Sequence, residues 1–345
     1  MTAIDRRTLL AGGAAATVLP AIPVRAQAPV LDSAGRAVPV PARIERVFPA
    51  GPPAAIFLYT LAPELLVGWP RANTAAELEY LLPDVGRRPE VGRLTGRGNT
   101  TNLEVLLQFK PDLILDFGTT TETYVSLADR TQAQTGIPYA LLDGRLDATA
   151  AAYRTLGRLI RREERGEALA AEVDAMLRET LGRVASVPPE RRPRVYHARG
   201  PRGLETGLGG SINVEAIEIM GARNVAGAQR GGLANVSLEQ VLAWDPEVIV
   251  TIDRGFATAV RTDPGWASVT AVRNGRVHHA PGLPFGWVDS PPSVNRLIGL
   301  RWLGKVLYPD LFPEDLRAMT RAFYARFYHV TPSDAALDRL LSGTA

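Results

Sequence analysis

Two stretches of the chain carry the same pattern of apolar and polar positions. Residues 103–115 run Leu-Glu-Val-Leu-Leu-Gln-Phe-Lys-Pro-Asp-Leu-Ile-Leu, and residues 238–250 run Leu-Glu-Gln-Val-Leu-Ala-Trp-Asp-Pro-Glu-Val-Ile-Val, at a constant offset of 135. Each copy predicts a short helix stopped by Pro111 or Pro246, then a buried strand. The strands, Asp112–Asp116 and Glu247–Thr251, hold continuous aliphatic runs, the pattern of parallel strands covered on both faces. A repeat of this kind predicts two similarly built halves.

Between the copies, residues 147–185 show apolar positions at three-and-four spacing: Tyr153, Leu156, Leu159, Ile160, then Leu169, Val173, Met176, Leu177 and Leu181. They predict one connecting helix, roughly 50 Å long by its rise per residue. That is too long for one compact lobe and suits a spine joining two. Gly157 and Gly166 are its weak points. Strands are also predicted at Arg43–Phe48, Leu65–Trp69, Arg194–His197 and Arg276–Ala280. Helices are predicted at Ala54–Ala62, at Ser293–Leu307 with Ser293 as N-cap, and at Pro313–Tyr328. The expected fold class is α/β: two similar lobes with mostly parallel central sheets, residues 27–146 and 186–345, on either side of the spine.

The first 26 residues read differently. Arg6 and Arg7 precede an apolar, small-residue stretch of about 16 residues, too short for a membrane span. This is the layout of an export signal, with cleavage expected near Ala26 and the paired arginines of a twin-arginine leader. Without this segment the formal charge falls from +3 to about +1. The basic balance therefore points to neither nucleic acid nor a membrane surface. The chain has no cysteine, so it has no disulfide and no cysteine to carry a lipid anchor. The expected location is the periplasm, without stable membrane insertion, and the expected state is a monomer.

Twin α/β lobes on a spine, with a Leu-Glu…Pro-acid-aliphatic signature in each, resemble the class III substrate-binding proteins of ABC importers. The matching pieces also include Arg43–Val47, Gly221-Ala-Arg-Asn224, Val272–Val277 and Pro284–Trp302. The resemblance covers nearly all of residues 40–330. It implies a cleft between the lobes for a small ligand, and an ABC permease and ATPase as partners. It also implies that Glu104 and Glu239, one per lobe, dock into arginine sockets on the permease.

The cleft should be lined by loops leaving strand ends. In the first half the candidates are Tyr59, Trp69, Arg93 and Arg97, the last two in the glycine-rich loop 92–101. In the second half they are Tyr196, His197, Arg199, Arg202, Phe285, Trp287 and Arg296, with Asp289 as a possible partner of Arg296. Arginine with tyrosine and tryptophan suits a bulky anionic chelate. A ferric siderophore or related iron complex is the expected ligand; cobalamin, haem and an oxyanion such as molybdate stay open, as does a sensing role. No metal site or cofactor is expected, since His278 and His279 are adjacent and diverge on a strand. Nor is an enzyme expected: the chain lacks a Gly-x-Ser-x-Gly elbow, a phosphate loop with its Lys and a His-Glu-x-x-His pair.

Overall fold

The structure is a computed structural model describing residues 28–96, 98 and 100–342. The expected export signal, with Arg6 and Arg7, and the candidate Arg97 lie outside the described residues.

The first lobe opens with a hairpin, β1 (Val30–Leu31) and β2 (Ala37–Val38). β3 (Val47–Pro49) leads into α1 (Pro52–Leu61), whose Pro52 and Pro53 sit where a helix tolerates missing N–H groups. α1 is apolar nearly all round and buried from Ala54 to Leu61. After it come α2 (Leu103–Gln108), β4 (Leu113–Gly118), α3 (Glu122–Thr135) and β5 (Tyr139–Asp143). The strands form a parallel sheet in the order β3-β4-β5.

The predicted spine is two helices. α4 (Thr149–Leu159) and α5 (Glu163–Ala185) are separated at Ile160–Arg162, where Arg161 takes a left-handed φ of 57°. The chain turns there and the helices pack side by side, joined by Arg154 to Glu167 at 2.7 Å and to Asp174 at 3.0 Å. The two weak-point glycines explain the packing. A Cβ on Gly166 would stand 2.8 Å from Tyr153 O and 3.1 Å from Gly157 Cα. These glycines let two backbones touch.

The second lobe holds β6 (Arg194–Ala198), β7 (Glu205–Gly207), α6 (Glu215–Ile219), β8 (Arg223–Asn224), β9 (Leu233–Asn235), α7 (Leu238–Trp244), β10 (Val248–Thr251) and β11 (Val277–His279). Its main sheet is parallel in the order β11-β10-β6-β8, with β7 and β9 as an antiparallel pair beside it. The repeat is therefore structural: α2–β4 in one lobe and α7–β10 in the other. Side-chain caps from Asn102 to Val105 N and from Ser237 to Gln240 N open the two helices at the same position.

Three further expectations are corrected. Leu65–Trp69 is not a strand; a 3-10 turn at Pro63–Leu65 leaves only the bridges Val47–Leu66 and Trp69–Glu90. Ser293 does not cap the next helix, α8 (Arg296–Leu307), because its hydroxyl donates to Pro53 O at 3.0 Å instead. The last predicted helix is shorter: α9 (Leu316–Phe323) passes into a π turn, Tyr324–Tyr328, before α10 (Asp334–Leu341). This C-terminal segment, expected in the second lobe, packs on the first. Tyr59 Oη donates to Tyr328 O at 2.8 Å and Tyr80 Oη to Ala336 O at 2.7 Å. Among the described residues no helix is long and apolar enough to cross a membrane.

Candidate functional site

Parallel α/β sheets present ligands at the carboxyl ends of their strands. In the first lobe those ends lead to Gly51, to Thr119–Thr121 after β4 and to Gly144 after β5. In the second they lead to Arg199, to Asp253 and to residues 280–295. The lobes meet here. Arg296 Nη2 donates to Gly144 O at 2.5 Å, and Ser293 bonds Pro53 across the same junction.

Arg296 is fully buried, and its fork is satisfied on every side. Nε donates to Ser293 O at 3.1 Å and Nη1 to Ile212 O at 3.2 Å, while Nη1 stands 2.6 Å from Glu215 Oε2. Glu215 also accepts from Leu146 N at 3.0 Å. Burial pushes the Glu215 carboxyl up and the Arg296 guanidinium down, so desolvation outweighs mutual attraction for both. Arg296 thus pairs with Glu215 rather than with Asp289 and joins the lobes.

Asp289 anchors a second cluster. Its Oδ1 accepts from Asn213 Nδ2 at 2.7 Å and Ser290 N at 2.6 Å; its Oδ2 lies 3.3 Å from His197 Nε2 and 2.7 Å from Arg199 Nε. The Arg199 contact is an ion pair only, because that N–H points away and finds no hydrogen-bond acceptor. His197 Nδ1 faces Val250 O at 3.3 Å. Both ring nitrogens therefore face oxygens, one on each side of the ring. Burial pushes Asp289 up, but the hydrogen bond and charge of His197 and the charge of Arg199 hold its carboxyl below the ordinary range. Arg199 Nη1 also reaches Glu205 Oε2 at 2.5 Å.

In the first lobe Asp116 is buried within β4. It accepts from Phe117 N at 2.9 Å, Tyr139 Oη at 3.1 Å and Thr95 Oγ1 at 3.2 Å. Burial pushes its carboxyl up to about 6. Thr95 also donates its N–H to Ala50 O, so loop 92–101 is held against the turn before α1.

The aromatic candidates pack inward. Tyr59 and Trp69 rings lie 5.6 Å apart, Trp69 and Phe285 5.6 Å, and Phe285 and Tyr328 6.3 Å. Trp69 is 2% exposed, Phe285 7% and Trp287 0%. Their polar tips are engaged internally, Trp69 Nε1 with Val85 O and Trp287 Nε1 with Tyr324 Oη. Tyr196 is buried beside Trp244 and Trp266, its hydroxyl donating to Gly203 O at 2.7 Å. Arg93 braces its own loop through Gly98 O at 2.7 Å, and Arg202 is exposed on the turn after β6. The structure therefore brings His197, Arg199 and Asp289 together and separates them from Tyr59, Trp69 and Tyr196. Glu215 and Asp116 were missed. Glu215 gives no signal, since its partner lies 81 residues away. Asp116 has one: an acid inside an aliphatic run.

Two surface depressions lie elsewhere. One of about 470 Å³ lies among Arg43–Glu45, Glu64 and Arg161–Arg162, and one of about 340 Å³ beside Arg194, Arg223 and Trp244. Both sit at the amino ends of strands, the wrong end for a ligand in this topology. Among the described residues no three His, Asp or Glu side chains converge to hold a metal ion. Glu104 and Glu239 are exposed in the first turns of α2 and α7.

Residues 78–282 match the family model described as periplasmic binding protein. A molybdate-binding protein, MolA of Haemophilus influenzae, is 29% identical over 276 residues, covering 72% of this chain and 77% of that one. A cobalamin-binding protein of Halobacterium salinarum is 30% identical over 66% of this chain and 60% of its own length. Among solved structures, an ABC transporter solute binding protein from Sulfurospirillum deleyianum superimposes with a TM-score of 0.82 at 30% identity, over 91% of this chain and 99% of that one. MolA bound to molybdate gives 0.72 at 24% identity, over 89% and 99%, a likeness of fold. The chain belongs to the periplasmic binding protein family and is a class III substrate-binding component of an ABC importer, not an enzyme.

Proposed function

We propose that the cargo is a compact inorganic oxyanion of the molybdate kind, held between the lobes and delivered to the permease. The burial of Trp69, Phe285 and Trp287 carries this reading. A corrinoid, a haem or an aromatic iron chelate gains most from flat apolar faces, and the expected ones pack against each other. What the strand ends offer is small and polar: Gly51, the hydroxyls of Thr119–Thr121, Arg199 and Arg202. Backbone N–H groups, hydroxyls and one or two guanidinium forks suit a small anion. The relative that binds molybdate, aligned over most of both chains, supports the same reading. Arg93 and Arg202, on the loops, are the expected residues that best fit a cargo contact; Tyr59, Tyr196 and Arg296 serve as packing and joining groups. Glu104 and Glu239 dock the permease.

Calorimetric titration of the mature protein with molybdate, tungstate, sulfate, a ferric siderophore and cobalamin tests the proposal. Tight binding of molybdate or tungstate alone supports it. Binding of the ferric siderophore or cobalamin instead, with the oxyanions ignored, would return the cargo to a chelate.

A further inference from the structure

The glycine run 207–211 is used neither by the fold's main sheets nor by the contacts described above. It follows β7 as the turn Leu208-Gly209-Gly210-Ser211 before α6. Gly210 has φ of 74°, and its N–H points at Glu218, 3.3 Å from each carboxylate oxygen. The flanking amides are engaged, Gly209 N–H with Gln229 O at 2.8 Å and Ser211 N–H with Leu208 O at 3.0 Å, so Gly210 N–H alone faces an anion, and here the anion is the protein's own side chain. The bond is long and shared between two oxygens, which makes it weak. A guanidinium lies beside it: Gly209 bridges Arg230, and a Cβ on Gly210 would stand 3.2 Å from Arg230 Nη1. Arg230 is exposed and meets no carboxylate among the described residues. The turn stands at the lobe junction, since the next residue, Ile212, gives its carbonyl to Arg296, which also holds Gly144 of the first lobe.

We propose that the Gly210 N–H and the Arg230 guanidinium form a seat for one oxygen of an anionic cargo, guarded by the Glu218 carboxylate, which the cargo displaces. The seat rests on the oxyanion reading above and assigns it a contact on the second lobe. Glu218 then acts against loose binding of weaker anions: a ligand must out-compete a tethered carboxylate before the turn accepts it. Arg230 supplies the charge-assisted bond once it has.

The test is calorimetric titration of sodium molybdate at fixed ionic strength into the wild type, Glu218→Gln and Arg230→Gln, with the Gly210 amide followed by ¹⁵N NMR. Glu218→Gln should tighten binding roughly fivefold, as expected for removing one exposed competing charge. Arg230→Gln should weaken it roughly tenfold, and the Gly210 amide should shift during titration of the wild type. Binding by Glu218→Gln but not by the wild type also supports the seat. Equal affinities with an unmoved Gly210 amide would overturn the seat and leave the oxyanion reading standing. Weaker binding by Glu218→Gln would also overturn it, because a structural Glu218 behaves that way. Failure of both wild type and Glu218→Gln to bind molybdate would overturn both readings.

Discussion

Arg296 and Glu215 form a buried ion pair at 2.6 Å that also reaches across the lobe junction, Arg296 to Gly144 O and Glu215 to Leu146 N. One pair thus ties the second lobe's α6 and α8 to the end of β5 in the first. Breaking such a pair strands a charge, whereas replacing both partners removes the desolvation cost with the attraction. Arg296→Met is expected to cost about 3–5 kcal/mol, and adding Glu215→Leu to recover part of that loss. Urea unfolding of the two single variants and the double variant measures it; additive losses would mean that the two residues act independently.

The same ties limit lobe movement. With Arg296 to Gly144 and Ser293 to Pro53 bridging the junction, binding of cargo should change the aperture little. Small-angle scattering curves with and without saturating ligand are expected to superimpose. A clear fall in radius of gyration would show that the ties open and close.

Asp116 sets a pH dependence. Its carboxyl is pushed from 3.8 to about 6 by burial, so the folded state holds its proton more tightly than the unfolded chain. The stability this contributes is fully present below about pH 4 and is lost as pH rises through about 6, on the order of 3 kcal/mol in total. Asp116→Asn lacks this contribution. Urea midpoints of wild type and variant compared from about pH 4 to about pH 8 should diverge in that direction; parallel profiles would show that the three donors keep Asp116 ionised throughout.

Glu104 and Glu239 occupy matching first-turn positions on α2 and α7, both exposed. A solvated carboxylate there gains little from the helix dipole, so Glu104→Ala with Glu239→Ala should leave stability and cargo affinity nearly unchanged. Uptake into vesicles carrying the permease should be abolished. Weakened cargo binding by the double variant would count against a docking role.

The class of fold was legible because its signals are local. The Leu-Glu…Pro-acid-aliphatic unit encodes a capped helix, a stop and a buried strand within 13 residues, and it occurs twice. The spine was half legible: periodicity gave the helical residues, but the turn at Ile160–Arg162 depends on Gly157 and Gly166 touching, which a pattern along one chain cannot express. The site was least legible. Trp69 was expected to end a strand, and Phe285 and Trp287 follow one, and at such a place a side chain points either into a cleft or into the core. Here each points into the core, because the C-terminal segment brings Tyr324 and Tyr328 onto the first lobe. Arg296 looked like an anion-gripping group until the fold supplied Glu215, 81 positions earlier. The sequence alone determined two repeated α/β lobes, their helix-and-strand units and the matching positions of Glu104 and Glu239. Only tertiary structure decided which polar and aromatic groups are buried and paired, because burial and pairing arise between residues that the chain keeps far apart.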